Sequence, residues 1–543
     1  MNFQIVVIEN KFFCLGMKIL ITDPIEESCV NILKGEGFEV DLKPGIPRDE
    51  IKRIINDYVA LIVRSGTKIT ADIINEARNL KIIGRAGVGV DNIDVEAATR
   101  RGIIVMNTPG GNTISTAEHT MSLILALARN IPQANDDLKA GNWERKKFMG
   151  VELYGKTIGI IGLGRIGREV ALRCKAFGMN VIGYDPVLSS EVALKFGVEL
   201  VSNLDEIYRR SDFITVHVPL NDETRGMIGR EELAKCKRGV RIINCARGGI
   251  IDEMALLEAI ESGQVAGAAL DVFSEEPPPK DHPLIKHPKV IVTPHLGAAT
   301  EEAQEKVAIQ IAHQIADALK GRAIVGAVNA EILQLAMNEE IKPYLLLAEK
   351  IGLLHAQLLK GKLLSIRASF TGDVLKNSSQ ILISAFLKGL LNYLMSEPIN
   401  YINAPVLAKE MGLNISEKTG ESWGNYTYLL NFEVKTDKET RSISGTCFGN
   451  SDVRIVGMDE FHFEFKPEGI LLVYSNIDRP GMLAAVSSIL ARSNINIAGL
   501  SLGRYGVGQK ALTVMSVDSE IPQEVLKEIS SVDGIFDVRV VKL

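Results

Sequence analysis

Three segments carry residue types that together can oxidise a 2-hydroxy acid. They are Asn244-Cys245-Ala-Arg247-Gly-Gly-Ile-Ile-Asp252, Leu270-Asp271-Val-Phe-Ser-Glu275-Glu276-Pro277 and Thr293-Pro-His295-Leu-Gly297-Ala298. Such an oxidation needs a cation to hold the substrate carboxylate, a base to take the hydroxyl proton, and a carboxylate to orient that base and stabilise its protonated form. Arg247, His295 and Glu276 supply these groups in that order. Taken singly, each has a plainer reading: a surface arginine, a loop charge before prolines, a capping or core histidine. Each segment follows a predicted strand, however, and strand ends are where such sheets bind ligands. That shared placement favours the chemical reading. His217 also ends a predicted strand, and it is expected to line a cleft rather than carry a proton. His282 and His287 sit in a proline-rich loop and read as solvated.

The hydride needs an acceptor. Gly162-Leu-Gly164-Arg165-Ile166-Gly167 is a GxGxxG turn between the strand-like TIGII and the helix-like REVALRCKAFG. Gly162 permits the tight turn, Gly164 lets the backbone approach a pyrophosphate at the helix start, and Gly167 lets the helix pack on the sheet. A second strand ends at Asp185, whose carboxylate suits ribose hydroxyls and repels a 2′-phosphate, so NAD is expected over NADP. Arg165 reads either as a pyrophosphate contact or as a solvated arginine.

These motifs need a scaffold of parallel strands. β-rich runs at 18–22, 60–63, 81–84 and 103–106 alternate with amphipathic stretches at 25–35 and 71–79, which predicts an α/β unit. A long apolar helix is predicted over 115–129, with Thr113 or Ser115 as its N-cap. Six strands predicted between 157 and 293 match a doubly wound fold. A helix over 301–320 is expected to pack back on the first unit. The segment 329–467 reads as a separate α+β domain. The last 75 residues follow the ferredoxin-like order β-α-β-β-α-β.

Composition is compatible with this plan and excludes others. The 543 residues are 46% hydrophobic and 24% charged, with net charge −6, so three or four folded domains are expected and wholesale disorder is excluded. No Lys/Arg block suggests nucleic acid, and no apolar run suggests a bilayer. The six cysteines form no CxxC pair, which fits a reducing cytoplasm and no metal site. Sequons start at Asn377, Asn414 and Asn425, without other signs of secretion. Residues 1–16 precede a second methionine and read as a dispensable arm or a misplaced start.

The motifs resemble those of the D-isomer-specific 2-hydroxyacid dehydrogenase family, essentially from Met17 to Leu543. The resemblance is carried by GLGRIGREVA, YDP, NCARGGIIDE, ALDVFSEEPP, PHLGAAT, GRAGVGVDNID (84–94) and NTPGGNTISTAEHT (107–120). It implies a Rossmann-type doubly wound NAD domain (113–298) inserted in a flavodoxin-like substrate domain (17–112 and 299–325). An α+β intervening regulatory domain (326–467) and a ferredoxin-like ACT domain (468–543) would follow. It also implies that Val218, Pro219, Cys245, Asp271 and Gly297 line the NAD site. Arg64, Ser65 and Arg85 would hold the substrate, with Arg145 reaching it from a neighbouring subunit. The expected reaction is oxidation of 3-phospho-D-glycerate, the opening step of serine synthesis.

In the ACT segment, Asn476, Asp478 and Asn496 are the expected contacts for an amino-acid effector, Asn496 reaching it across a pair of domains, with L-serine the natural choice. His462 and Lys466 are weaker anion candidates in the intervening segment. A homodimer or homotetramer is expected. The competing readings are a reductase of glyoxylate, hydroxypyruvate or 2-oxoglutarate, a NAD-sensing scaffold, and a regulatory protein with a vestigial enzyme half.

Overall fold

The computed structural model describes residues 16–419, 426–449 and 451–543. The expectation for the N-terminal arm therefore falls on residues outside those described, apart from Gly16, and so does the sequon asparagine Asn425.

The first sheet contains β1 (Lys18–Ile21), β2 (Glu39–Leu42), β3 (Ala60–Val63), β4 (Ile82–Arg85) and β5 (Ile104–Met106). Its order is β2-β1-β3-β4-β5, all parallel, which is the flavodoxin-like arrangement. All four side chains of β3 are buried, as a parallel strand covered on both faces requires. The helix Glu301–Leu319 returns to cover this sheet, burying Val307, Ile311 and Ile315. Gly84 leaves room for it, because a Cβ there would lie 2.5 Å from Ile315 Cδ1. Lys320 fixes the end of the return through Glu36, at 2.5 Å.

The second sheet holds β6 (Thr157–Ile161), β7 (Asn180–Tyr184), β8 (Glu199–Leu200), β9 (Phe213–Val216), β10 (Val240–Asn244), β11 (Val265–Leu270) and β12 (Val290–Val292). The order β12-β11-β10-β9-β6-β7-β8 is parallel throughout and reverses between β6 and β9. A doubly wound sheet opens its ligand crevice at that reversal. The helix Thr113–Arg129 packs across this sheet and starts two residues earlier than predicted. Its cap position is Asn112, not Thr113 or Ser115, and no side chain caps it. Ser115 instead bonds the Asn112 carbonyl at 3.0 Å from inside the helix.

The third sheet has β13 (Leu363–Thr371), β14 (Asn414–Thr419), β15 (Leu429–Thr436), β16 (Thr440–Phe448), β17 (Asp452–Met458) and β18 (Phe461–Phe465), in the order β14-β13-β15-β16-β17-β18. Two helices, Lys342–Leu358 and Ser379–Leu394, pack against each other and bury Leu347, Ile351, Leu382 and Phe386. The fourth sheet has β19 (Ile470–Ile477), β20 (Ile497–Arg504), β21 (Lys510–Val517) and β22 (Ile535–Lys542) in the antiparallel order β20-β21-β19-β22. With helices Met482–Arg492 and Gln523–Ser530 it forms the ferredoxin-like unit read from the sequence. Among the described residues no helix is long and apolar enough to cross a membrane.

Candidate active site

The loops after β11 and β12 bring Glu276 and His295 together. His295 Nδ1 lies 2.7 Å from Glu276 Oε2, leaving Nε2 for another partner. Glu276 Oε1 accepts the Phe273 amide at 3.1 Å. Burial alone would push the Glu276 carboxyl up. The His295 bond and charge, the Phe273 amide and the nearby Arg247 outweigh it and hold the group below its usual range. The pair is therefore a histidine backed by an ionised carboxylate.

His295 occupies left-handed backbone, with φ 54°. A non-glycine residue stays there only when its surroundings impose it. Asp271, 1% exposed, imposes it here. Its carbonyl accepts the His295 amide at 2.9 Å, and its carboxylate accepts the Leu296 amide at 2.7 Å and the Gly297 amide at 2.9 Å. Thr293 Oγ1 donates to the same carboxylate at 2.6 Å. Asp271 and Gly297 were expected along the cofactor site; the structure bonds them to each other, beneath the histidine.

Three arginines continue from this pair. Arg247 influences the charge of both Glu276 and Arg85, and Arg64 acts on Arg85 in turn. Burial, with those neighbouring cations, lowers Arg85 to about 10. Arg247 Nε bonds Asp91 at 3.0 Å, and Arg85 Nε bonds Asn92 at 3.3 Å. Arg64, Ser65 and Thr67 form a loop around buried Asp23, which accepts the Arg64 amide at 2.6 Å and the Thr67 amide at 3.1 Å. Asn92 closes the loop by donating to the Arg64 carbonyl at 2.7 Å and the Thr67 carbonyl at 2.6 Å. The arrangement is a row of cations beside an acid–base pair, suited to an anionic substrate with an oxidisable hydroxyl.

The glycine turn has the form a dinucleotide requires. Gly162 sits at φ 92°, and a Cβ there would lie 2.6 Å from the His217 carbonyl and 2.8 Å from Val218 Cγ1. At Gly164, which starts the helix Arg165–Ala176, a Cβ would meet nothing within 4 Å, so the approach to that helix end is open. At Gly167 a Cβ would collide with the Gly162 carbonyl, and Ile166 packs against the core beside it. Asp185 follows β7 and accepts the amides of Leu163 (2.9 Å), Val187 (3.0 Å) and Leu188 (3.1 Å), the last two on Oδ1, leaving acceptor capacity on Oδ2. Arg165 reaches toward Gly110, where a Cβ would lie 3.0 Å from its Nη1. Cys245 is buried, which pushes its thiol up to about 12, so it lines the wall as a neutral group. Pro219 lies in the β9 loop, its carbonyl accepting Thr224 Oγ1 at 2.6 Å. These residues fit NAD. Burial lowers His217 to about 4, so it stays neutral, with Nε2 3.1 Å from Thr215 Oγ1.

Arg145 lies on the exposed 3-10 turn Arg145–Phe148 and makes no ion pair among the described residues. Asn476 is buried, with Thr513 donating to it at 3.1 Å, and Asp478 pairs with Arg504 at 3.1 Å. Asn496 bonds Asp518 at 2.6 Å. The strand register puts Asp478 beyond Lys510 and Asn496 beyond Val517, at opposite ends of β21. One ACT unit therefore cannot hold a small ligand with both. Lys466 is paired with Asp452 at 3.7 Å. The solvated reading of His282 is overturned. Its side chain is 15% exposed and lies 3.0 Å from Glu253, which also accepts the Ser274 amide at 2.7 Å. This network braces the loop that carries Glu276.

Known proteins show the same assembly. The profile of the NAD-binding domain of D-isomer-specific 2-hydroxyacid dehydrogenases matches residues 121–297. That of the D-3-phosphoglycerate dehydrogenase intervening domain matches 340–459, and that of the ACT domain matches 469–534. The chain is 47% identical to D-3-phosphoglycerate dehydrogenase of Methanocaldococcus jannaschii over 97% of its own length and 100% of the relative's. Among solved structures, it resembles a glyoxylate reductase from Paecilomyes thermophila (TM-score 0.53, 33% identity), covering 58% of this chain and 98% of that one. It also resembles D-lactate dehydrogenase of Aquifex aeolicus complexed with NAD and lactic acid (TM-score 0.50, 31% identity), covering 56% and 96%.

Proposed function

The chain belongs to the D-3-phosphoglycerate dehydrogenases of the D-isomer-specific 2-hydroxyacid dehydrogenase family, and from that premise we propose that its cleft oxidises 3-phospho-D-glycerate to 3-phosphooxypyruvate. NAD is the cofactor, and when bound it supplies the acceptor for the hydride leaving C2. The observation that carries the reading is the His295–Glu276 pair at 2.7 Å, continued by Arg247, Arg85 and Arg64. Nε2 of His295 takes the C2 hydroxyl proton, while Glu276, bonded to Nδ1, orients the ring and stabilises its charged form. Arg247 holds the carboxylate and polarises the carbonyl as it forms. Arg64 and Arg85, with the Ser65 loop, suit the phosphate, which two guanidiniums match in charge and geometry.

The test offers NADH with 3-phosphooxypyruvate, glyoxylate, hydroxypyruvate and 2-oxoglutarate. The highest kcat/KM is expected with 3-phosphooxypyruvate. A preference for glyoxylate would move the assignment to the reductase reading, and no turnover with any of the four would favour a scaffold.

The working form in this proposal is a homodimer or homotetramer in the cytosol. Trp143 and Met149, 76% and 80% exposed, leave apolar surface beside Arg145 that a second subunit would cover, delivering Arg145 to a neighbouring cleft. A monomeric mass by light scattering would remove this part. L-serine is the proposed effector, held by Asp478 of one ACT unit and Asn496 of another. An unchanged rate and melting temperature with serine would exclude it.

A further inference from the structure

The loop that presents His295 rests on a second histidine. His119 lies on the helix Thr113–Arg129, 18% exposed, with Nε2 3.1 Å from Asp271 Oδ1 and 3.1 Å from Thr293 Oγ1. The Thr293 hydroxyl donates to Asp271, so its lone pairs face His119. Both 3.1 Å contacts therefore call for a proton on Nε2. Four donors then converge on the Asp271 carboxylate: the Leu296 and Gly297 amides, the Thr293 hydroxyl and His119. Three of them meet Oδ1, and the Gly297 amide meets Oδ2. One turn earlier on the same helix face, Thr116 Oγ1 donates to the Gly297 carbonyl at 3.0 Å. The helix thus grips the loop from behind at two points.

We propose that His119 is a positioning residue for the reaction: by donating to Asp271 and Thr293 it keeps residues 295–297 where His295 meets the substrate. The proposal rests on the dehydrogenase reading of the cleft given above. Its ring nitrogen bonds Asp271 and Thr293, and its effect passes through them. Without it, a buried carboxylate lacks one donor and must turn or admit water, releasing amides that hold a non-glycine residue in left-handed backbone. Displacing a reacting group by about 1 Å costs on the order of a hundredfold in rate.

The full-length enzyme carries the test as His119→Leu, which removes the donor, and His119→Gln, which keeps an N–H at similar reach. For NADH-dependent reduction of 3-phosphooxypyruvate, His119→Leu should lower kcat by about tenfold or more with KM within about twofold, and His119→Gln should recover most of the loss. Hydrogen exchange of the amides at 295–297 should quicken in the Leu variant and return toward the native rate in the Gln variant. If His119→Leu does not fold, Thr293→Val and Thr293→Ser make the same comparison on the neighbouring donor. The proposal is overturned if the Leu variant keeps its kcat, if exchange at 295–297 is unchanged, or if Gln fails as completely as Leu. If the wild type ignores 3-phosphooxypyruvate, the substrate assignment falls, and the exchange comparison still decides the role of His119.

Discussion

Glu276 serves the site only while it is charged, and its surroundings keep it so. Its pKa lies below the ordinary carboxylate value, so its pairing with His295 is fully present above the unfolded pKa and is lost as pH falls through the folded one. Glu276→Gln is expected to lower kcat by about a hundredfold while leaving the fold intact. The melting-temperature difference between variant and wild type should be flat from neutral pH to about pH 5 and close only in the acid range. Asp185 makes a second prediction. Asp185→Asn retains one acceptor oxygen, enough for the Val187 and Leu188 amides that share Oδ1, but removes the charge, so the kcat/KM preference for NAD over NADP should fall by about tenfold or more. Arg247, Glu276 and His295 were legible in the sequence because few residue types can do their chemistry and all three follow strands of one sheet. Asp23, Asp91, Asn92 and His119 were not, because each works on a residue that only the folded chain brings near. His282 was misread for the same reason: Glu253, its partner, lies in another segment.

Strands buried on both faces announce themselves as apolar runs, and β3, β6 and β9 stood where they were predicted. The strands that escaped prediction are β2, β8 and β14, each at the edge of its sheet. Their sequences EVDL, EL and NISEKT carry charge instead of an apolar run, as edge strands do to discourage foreign pairing. The helix pair of the third sheet shows a different constraint. Gly352 of one helix faces the Phe386 carbonyl of the other, and Gly389 faces the Glu349 carbonyl, each so close that a Cβ would strike backbone. Backbone cannot swing aside as a long side chain can. Gly389→Ala should therefore cost about 1–3 kcal/mol of stability, read as a lower urea midpoint with an unchanged slope. Turnover of the folded enzyme should not change, because neither glycine approaches the cleft elements.

Across the whole molecule, a net charge of −6 opposes an anionic substrate, so in the proposed reaction attraction comes locally from Arg64, Arg85 and Arg247. The third and fourth sheets then raise the question of how a ligand far from those arginines could influence them. Hydrogen bonds and ion pairs join the units in series. Ser501 of β20 bonds the Glu464 carbonyl of β18, and Gln357 exchanges two 2.9 Å bonds with the Lys542 backbone of β22. Lys360 pairs with Asp537 at 2.7 Å. At the other side of the third unit, Asn400 donates to the Gly102 carbonyl at 2.8 Å, and Glu410 pairs with Arg100 at 3.0 Å. Arg100 and Gly102 lead into β5, beside the β4 strand that ends at Arg85. A shift in the ACT unit can thus reach the substrate sheet without passing through the NAD sheet. The double variant Asn400→Asp, Glu410→Ala keeps the acceptor that the Ile402 amide uses at 2.9 Å and breaks these two bonds to the first sheet. Uninhibited kcat should stay within about twofold of wild type, and the serine concentration giving half inhibition should rise by about fivefold or more, the lower end of ordinary coupling between sites. An unchanged serine response would show that the signal takes another path, because both contacts would then be dispensable to it.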